Sequence, residues 1–460
     1  MGGLVQHAPK TIRVFFENMV TQQEHYDRAR KVMPGGVNSS TRLLKTIGTP
    51  FYALRGKGSR ITGVDGKEYI DMCCAHGAGL LGNAHPAINE ALRKATEIGY
   101  VNSFETVYHE ELASVIVDTV ACADKVRFCS SGSEATMHLI RACRGYTDKD
   151  KIIRIEGHFH GYHEMIYIGG HPPPSEFPRN RDQPFIESAG IPRQFADLII
   201  PIPYNDKEAL KEAIHKHADE TALVILEPVN FNCAGIRADE DYLQLVRKLT
   251  AENNILLFFD EIQAAYKYSF QAAQNELGII PDVTTIGKSI GGGLPLSAFC
   301  GTKEVMDSFS PVGHVEHSGT FNAHLIPVLA GLAFMNEASA PYFYSTLQKL
   351  EKQFHSGIDK IIEKHDLNMV VPNFGARFNM LIGRKTPARN YEETFCHDNQ
   401  VFLSILKDCF DNGVYFHDYG GGPAHHGYSI QHTSEDIDYV LRVLGKALIK
   451  HREKYLHYRK

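Results

Sequence analysis

The sequence predicts an α/β protein whose larger domain is a mostly parallel sheet covered by helices on both faces. Short apolar runs alternate with amphipathic segments through the middle of the chain, as expected for strands joined by helical crossovers. The segment 241–253 is one of these helices, because Tyr242, Leu245, Val246 and Leu249 share a face. The candidate strands are 126–129, 152–155, 223–226, 255–259 and 283–286.

The pattern changes after about residue 330. Helical stretches and a few strand candidates at 377–382 lead to a last helix that opens at Ser434. The apolar positions of that helix form one stripe, made of Ile437, Val440, Leu441, Leu444 and Leu448. We therefore expect a smaller α+β C-terminal domain at 331–460, a large domain at 76–330, and an N-terminal segment, 1–75, that contributes to the small domain.

Composition narrows the class of protein. A chain of 460 residues with 43% hydrophobic and 22% charged residues is typical of a globular protein with a large core. A formal net charge of −6 and dispersed basic residues give no reason to expect nucleic acid or an anionic membrane as a partner. No apolar stretch reaches the ~20 residues of a membrane span, and we recognise no secretory signal. Nine cysteines without CxxC spacing favour reduced thiols, so we expect a cytoplasmic protein.

Residues suited to chemistry follow the predicted strands. They are Ser131, Phe159, Glu227, Asp260 and Lys288. Ligands of open α/β sheets bind at the carboxyl ends of the strands. Because all five residues lie at such ends, we expect them to surround one site.

A phosphate site is indicated at Ser131-Gly132-Ser133-Glu134. Ser131 and Glu134 have the spacing of a capping box, so a helix begins here. Gly132 allows close approach of a ligand, and the free N–H groups of a first helical turn bind phosphate. An ordinary capped helix explains this motif equally well when it is considered alone.

Lys288 and Asp260 form the most informative pair in the chain. Asp260 ends an apolar run, and Lys288 follows the next predicted strand in apolar and glycine-rich surroundings. A desolvated lysine amine beside a buried carboxylate is what pyridoxal phosphate (PLP) requires, since the amine bonds to its aldehyde and the acid keeps its ring nitrogen protonated. Gln263 is spaced to reach the ring hydroxyl of the same ligand. The alternatives are a helix-capping aspartate and a solvated loop lysine.

Three histidines raise the question of a metal site. His158, His160 and His163 lie close in sequence, but a metal site needs converging ligands and usually a carboxylate further along the chain. We therefore predict no metal and expect Phe159, in the same segment, to stack on a cofactor ring.

Together these motifs resemble the class III, fold-type I PLP-dependent aminotransferases, and in particular the branch of glutamate-1-semialdehyde aminomutases and β-amino-acid transaminases. The resemblance covers about residues 33–438. Its landmarks are Pro34–Arg42, Asp65–Asp71, Gly82–Pro86, Ser131–Ala135, Phe159–Gly161, Glu227–Pro228, Asp260–Gln263, Gly287–Gly293 and Ser318–Asn322. The fold it implies is a large PLP-binding domain with a mostly parallel seven-stranded sheet, followed by the smaller domain.

The resemblance also implies roles for residues at the cofactor. Lys288 would hold the cofactor covalently and Asp260 would pair with its ring nitrogen. Gly132 and Ser133 would bind the phosphate, and Phe159 would stack on the ring at a position where the family often has tyrosine.

Two further roles follow from the same resemblance. Thr320 would reach the phosphate in a neighbouring subunit, which implies a homodimer with shared active sites. Arg42 would bind a substrate carboxylate with its forked guanidinium, a role that lysine fills poorly. A surface arginine in a loop is the alternative for Arg42.

The chain departs from the aminomutase branch at several positions. Gln263 stands where that branch has methionine, and 264–267 read Ala-Ala-Tyr-Lys in place of Thr-Gly-Phe-Arg. After Thr320 the chain reads Phe-Asn-Ala-His, and 168–177 is proline-rich where a Gly-Ser-rich loop is expected. These departures favour transfer between molecules, from a β-amino acid or an unusual α-amino acid to a 2-oxo acid. The alternatives are an aminomutase or racemase on the same scaffold, or a binding protein that kept the fold.

Overall fold

The computed structural model describes residues 21–100 and 103–456, and its elements are numbered here in chain order. The strands are β1 Ala53–Lys57, β2 Arg60–Gly63, β3 Glu68–Asp71, β4 Lys125–Cys129, β5 Lys151–Ile155, β6 Ile199–Ile202, β7 Thr221–Leu226, β8 Val229–Asn230, β9 Ile236–Arg237, β10 Leu256–Asp260, β11 Val283–Ile286, β12 Ser297–Gly301, β13 Met369–Val370, β14 Asn373–Phe374, β15 Arg377–Asn379, β16 Leu381–Ile382, β17 Val414–Tyr415 and β18 His425–Gly427.

The α-helices lie between and around these strands. They are α1 Gln22–Ala29, α2 Pro86–Ile98, α3 Val107–Thr119, α4 Gly132–Thr147, α5 Lys207–His217, α6 Glu240–Glu252, α7 Ala273–Leu277, α8 Lys303–Met306, α9 Leu325–Ala338, α10 Pro341–Lys364, α11 Asn399–Asp411 and α12 Ser434–Leu456. None of these helices combines the length and the apolar character needed to cross a bilayer.

A seven-stranded sheet in the order β4-β12-β11-β10-β7-β5-β6 forms the centre of the molecule. All neighbouring strands are parallel except where β12 pairs, because β12 is antiparallel to both β4 and β11. The predicted fold class is confirmed: this is a fold-type I α/β architecture with smaller sheets in its C-terminal part.

Alternation along the central strands explains why helices cover both faces of the sheet. Leu223 and Ile225 of β7 pack with α4, whereas Val224 and Leu226 pack with α5 and α6. Every residue of β7 is buried. A strand with two apolar faces must be covered on both sides, and parallel crossovers supply those helices.

The N-terminal and C-terminal parts of the chain share a second sheet. Its order is β1-β2-β3-β17, and Val414 and Tyr415 of β17 pair with Ile70 and Asp71 of β3. Two smaller sheets, β14-β15-β18 and β13-β16, complete the C-terminal part. The domain boundaries proposed from the sequence stay a prediction, and their ends at 1–20 and 457–460 lie outside the described residues.

Most predicted elements occur, with small shifts at their ends. The five candidate strands correspond to β4, β5, β7, β10 and β11, and the predicted helix at 241–253 is α6. The strand candidates at 377–382 are β15 and β16, which belong to different sheets: β15 pairs with β14 and β18, whereas β16 pairs with β13. The strands that pair with β15 and β16 lie elsewhere in the chain. The apolar run alone therefore does not reveal that its two halves join different sheets.

Asp436 connects the N-terminal sheet to helix α12. Its buried carboxylate accepts hydrogen bonds from the Ser59 hydroxyl at 2.7 Å and from Arg60 at 2.6 Å. Asp436→Ala should lower the free energy of unfolding by about 2 kcal/mol, since the Ser59 hydroxyl, Arg60 and the Thr433 amide lose their acceptor. Asp438→Ala is the matched control, because that exposed carboxylate accepts from the Gln353 side chain at 2.7 Å. Thermal unfolding of both variants tests this, and equal shifts would contradict it.

Candidate active site

A cavity of about 590 Å³ opens at the carboxyl ends of the central strands. This volume is in the range of small-molecule and cofactor sites. Of the site residues predicted from sequence, eight line it: Arg42, Ser131, Gly132, Ser133, Phe159, Asp260, Gln263 and Lys288. Thr320 is exposed and is not part of this lining.

The floor of the cavity is formed by the ends of β10 and β11. These strands are parallel with Asp260 opposite Thr285, so Lys288, three residues later, projects beside Asp260. Lys288 has a φ of 50°, in the left-handed region that residues with a side chain rarely occupy. Such strain is often found at functional sites, where the surrounding structure enforces it.

Asp260 is held by three hydrogen bonds. Its Oδ1 accepts from the Ile262 amide and the Thr285 hydroxyl, both at 3.1 Å, and its Oδ2 accepts from His160 Nδ1 at 2.9 Å. A carboxylate has about four acceptor sites, so one remains for a further N–H donor. The arrangement therefore suits a protonated ring nitrogen.

Opposing electrostatic effects act on the amine of Lys288. Burial lowers the pKa of Lys288 and Arg377 lowers it further, while Asp260 and Glu227 oppose that shift. A lower pKa leaves more of the amine unprotonated and nucleophilic at neutral pH. Burial and nearby Asp260 also raise the pKa of the Glu227 carboxyl to about 8.

Helix α4 begins at the cavity, which Ser131, Gly132 and Ser133 line. The Ser131 hydroxyl accepts from the Glu134 amide at 3.3 Å and donates to the Glu134 carboxylate at 2.9 Å. The amides of Gly132 and Ser133 have no carbonyl one turn earlier in the helix. They therefore point toward the cavity end of α4, where a phosphate group fits.

Close approach of Gly161 to α4 shapes the same end. Gly161 has a φ of +106°, and an added Cβ would lie 2.8 Å from Ser133 Oγ. Any other residue would displace Ser133. The segment that carries Phe159 and His160 therefore packs directly against the start of α4.

The three histidines of this segment have separate partners. His158 Nδ1 accepts from the Glu227 amide at 2.8 Å, His160 Nδ1 donates to Asp260, and His163 Nε2 lies 3.1 Å from the Thr136 hydroxyl. Their contacts thus diverge. His160 serves Asp260, a role that the sequence pattern did not reveal.

The terminal parts of the chain bring further residues to the cavity. His76, Tyr419 and His425 line it, and His76 Nδ1 lies 2.6 Å from the Tyr419 hydroxyl. The glycine and histidine pattern at 419–428 indicates from sequence that this stretch lines the pocket, whereas sequence reasoning missed His76. Arg377, at the start of β15, is buried and donates to His425 Nδ1 and to the Cys73 carbonyl at 3.1 Å.

PLP fits these residues. One end of the Gln263 side-chain amide is buried without a partner, as expected of a side chain whose ligand is a cofactor. Asp260 retains an acceptor site, α4 presents free amides, and Lys288 supplies the amine. When bound, PLP supplies an electron-withdrawing ring that stabilises negative charge on the substrate carbon.

Fold and site together define a fold-type I PLP-dependent enzyme, and comparison with known proteins agrees. The chain matches the family "Aminotransferase class-III" over residues 46–448 and belongs to that family. The glutamate-1-semialdehyde 2,1-aminomutase of Methanococcoides burtonii is 36% identical over 390 residues, which cover 85% of this chain and 90% of that protein.

Solved structures are similar over nearly the whole chain. An omega-transaminase from Sphaerobacter thermophilus is 28% identical, with a TM-score of 0.85 and coverage of 94% of this chain and 98% of that one. A transaminase with PLP bound is 26% identical, with a TM-score of 0.83 and coverage of 95% and 99%. PLP as the cofactor is confirmed. The aminomutase relatives support the alternative function drawn from the sequence more than the main one.

Two lysines lie near this site, the half-buried Lys288 and the buried Lys267, and we expect only Lys288 to bond to the cofactor. Lys267 is buried and its amine donates to the Ser289 hydroxyl at 2.6 Å, outside the cavity lining. Borohydride reduction of PLP-loaded protein should therefore tag the peptide of Lys288, as peptide mass spectrometry can show. Lys288→Ala should abolish the tag and Lys267→Met should retain it. A tag on Lys267 would contradict the assignment.

Proposed function

We propose that this protein transfers the amino group of a carboxylate-bearing amine, with Lys288 as the covalent cofactor residue and proton carrier. The observation that carries the proposal is that Lys288, Asp260 and Arg42 line one cavity together with the start of α4. The Lys288 amine, once released from the cofactor, would move a proton at the substrate carbon. Asp260 would keep the ring nitrogen protonated, and His160 would orient Asp260.

Ser131, Gly132 and Ser133 would hold the phosphate, and Phe159 would pack on the ring. Gln263 would contact the ring oxygen. Asn232 donates to both oxygens of Glu227, at 3.0 and 2.9 Å, and the Phe159 amide donates to Glu227 at 2.8 Å. Glu227 would thereby position the backbone of Phe159 above the cofactor.

The first candidate reaction is an intramolecular shift of the 2,1-aminomutase type. Identity to the curated relatives supports it, since the M. burtonii protein matches over 85% of this chain. The second candidate is transfer to a separate 2-oxo acid. Gln263 and the transaminase structures at 26–28% identity support this candidate, as do the other departures from the aminomutase pattern.

We also infer a cytoplasmic homodimer with shared sites. Thr320 is exposed, and Phe321 follows it in the chain. The Ser130 hydroxyl, next to the proposed phosphate-binding residues Ser131, Gly132 and Ser133, donates to the Phe321 carbonyl at 3.3 Å. Phe321 is itself 61% exposed. This loop therefore carries Thr320 at the surface next to the phosphate end, where a two-fold related subunit would need it.

Dependence on a carbonyl acceptor distinguishes the two reactions. With glutamate 1-semialdehyde as the only substrate, an aminomutase should turn over repeatedly and move the amino group from carbon 2 to carbon 1. A transaminase should stop after about one turnover per site and resume when pyruvate or 2-oxoglutarate is added. Product analysis by mass spectrometry measures this. Failure of a panel of carboxylate-bearing amines to convert the bound cofactor would contradict both candidates.

Arg42 should determine affinity for carboxylate substrates. It lines the cavity and is exposed, and no carboxylate in 21–100 or 103–456 forms an ion pair with it. Arg42→Ala should raise KM by roughly 10- to 100-fold, because a charge-assisted contact is lost, with a smaller effect on kcat. Arg55→Ala, an exposed arginine on β1, is the control. An unchanged KM, or an equal loss with an amine lacking a carboxylate, would contradict this role.

A further inference from the structure

Arg377 is a buried cation without a carboxylate partner among the residues that the structure describes. One amino group of its guanidinium donates to the Cys73 carbonyl, and the other donates to Nδ1 of His425 and lies 3.3 Å from the His425 carbonyl. An unpaired buried arginine is costly. Arg377 can influence the site through the residues that it contacts, and His425 is one that lines the cavity.

The contact between Arg377 and His425 determines where the imidazole proton lies. Arginine has donors only, so His425 Nδ1 must be the acceptor. Burial and the charge of Arg377 both lower the pKa of His425, so the ring is neutral. Its single proton is therefore on Nε2.

That proton in turn determines which way the Gln263 amide faces. In the structure, the end of the Gln263 amide assigned as NH₂ contacts His425 Nε2. The end assigned as Oε1 is buried without a hydrogen-bond partner. The two ends of an amide are assigned from their hydrogen-bond network. With a proton on His425 Nε2, the oxygen of Gln263 belongs toward His425. The NH₂ group then takes the unpartnered end and requires an acceptor.

We propose that Arg377 is a positioning residue that, through the Nε2–H form of His425, orients Gln263 so that its NH₂ group donates to the ring oxygen of PLP. This rests on the proposed placement of the cofactor ring beside Gln263. Arg377 itself does not line the cavity. Its effect on the cofactor therefore passes through His425 and Gln263.

The pH titration of the cofactor's absorbance in the loaded enzyme provides a readout independent of turnover. A donor to the ring oxygen stabilises the deprotonated chromophore, which has the larger negative charge on that oxygen. Arg377→Met should raise the titration midpoint by about one pH unit. In a Gln263→Met background the same substitution should have less than about a third of that effect, because the amide is gone.

Charge alone is the competing explanation, and a control variant separates it. Lys267→Met removes a buried lysine that interacts electrostatically with Lys288, and the amine of Lys267 donates to Ser289 and not to His425. Its effect should be equal in both Gln263 backgrounds. Equal effects of Arg377→Met in both backgrounds would overturn the proposal.

Neutron diffraction of the perdeuterated wild-type holoenzyme tests the chain of contacts without any substitution. The proposal expects deuterium on His425 Nε2, none on Nδ1, and the ND₂ group of Gln263 facing away from His425. Deuterium on Nδ1, or ND₂ facing His425, would overturn it even if the variants do not fold. This result is independent of which amino-transfer reaction the enzyme performs, so the two proposals can fail separately.

Discussion

The arrangement of charge at the carboxyl end of β11 constrains the rest of the site. Removing an amine from water costs several kcal/mol unless a partner compensates it. Lys288, Lys267 and Arg377 are all placed near one another there, with Asp260 and Glu227 as the nearby carboxylates. Burial and the charge of Arg377 therefore lower the pKa of both lysines. The anionic groups of the cofactor, its phosphate and ring oxygen, suit such surroundings.

Rigid elements hold that charge in place. Asp260 ends a strand whose every residue is buried, and its three donors come from its own turn, from β11 and from the segment that carries His160. Because Gly161 has no side chain, that segment packs closely against the start of α4. As a result, packed elements hold Asp260 and the start of α4, the proposed partners of the ring nitrogen and the phosphate, as a cofactor of defined length requires.

The substrate side of the cavity is built differently. Arg42 and His76 come from the N-terminal part of the chain, and Tyr419 and His425 come from the C-terminal part. These two parts are joined by the pairing of β3 with β17 and by the contacts of Asp436. Differences in substrate within the family can therefore arise in these terminal parts without disturbing the cofactor. This explains why family membership alone does not decide between an intramolecular and an intermolecular transfer.

The sequence by itself determined the fold class, the cofactor and the cavity residues at the strand ends and at the start of α4. Those residues lie within a few positions of a strand end or a helix start, so the local sequence pattern is enough to locate them. Asp260 follows an apolar run, and Ser131 begins a capping box. Tertiary structure alone decided what supports them. The pairing of β15 with β18 brings Arg377 against His425, 48 residues later, and the packing of the 158–163 segment brings His160 to Asp260, 100 residues later. Such contacts depend on the three-dimensional course of the chain, and no local pattern of side chains encodes them.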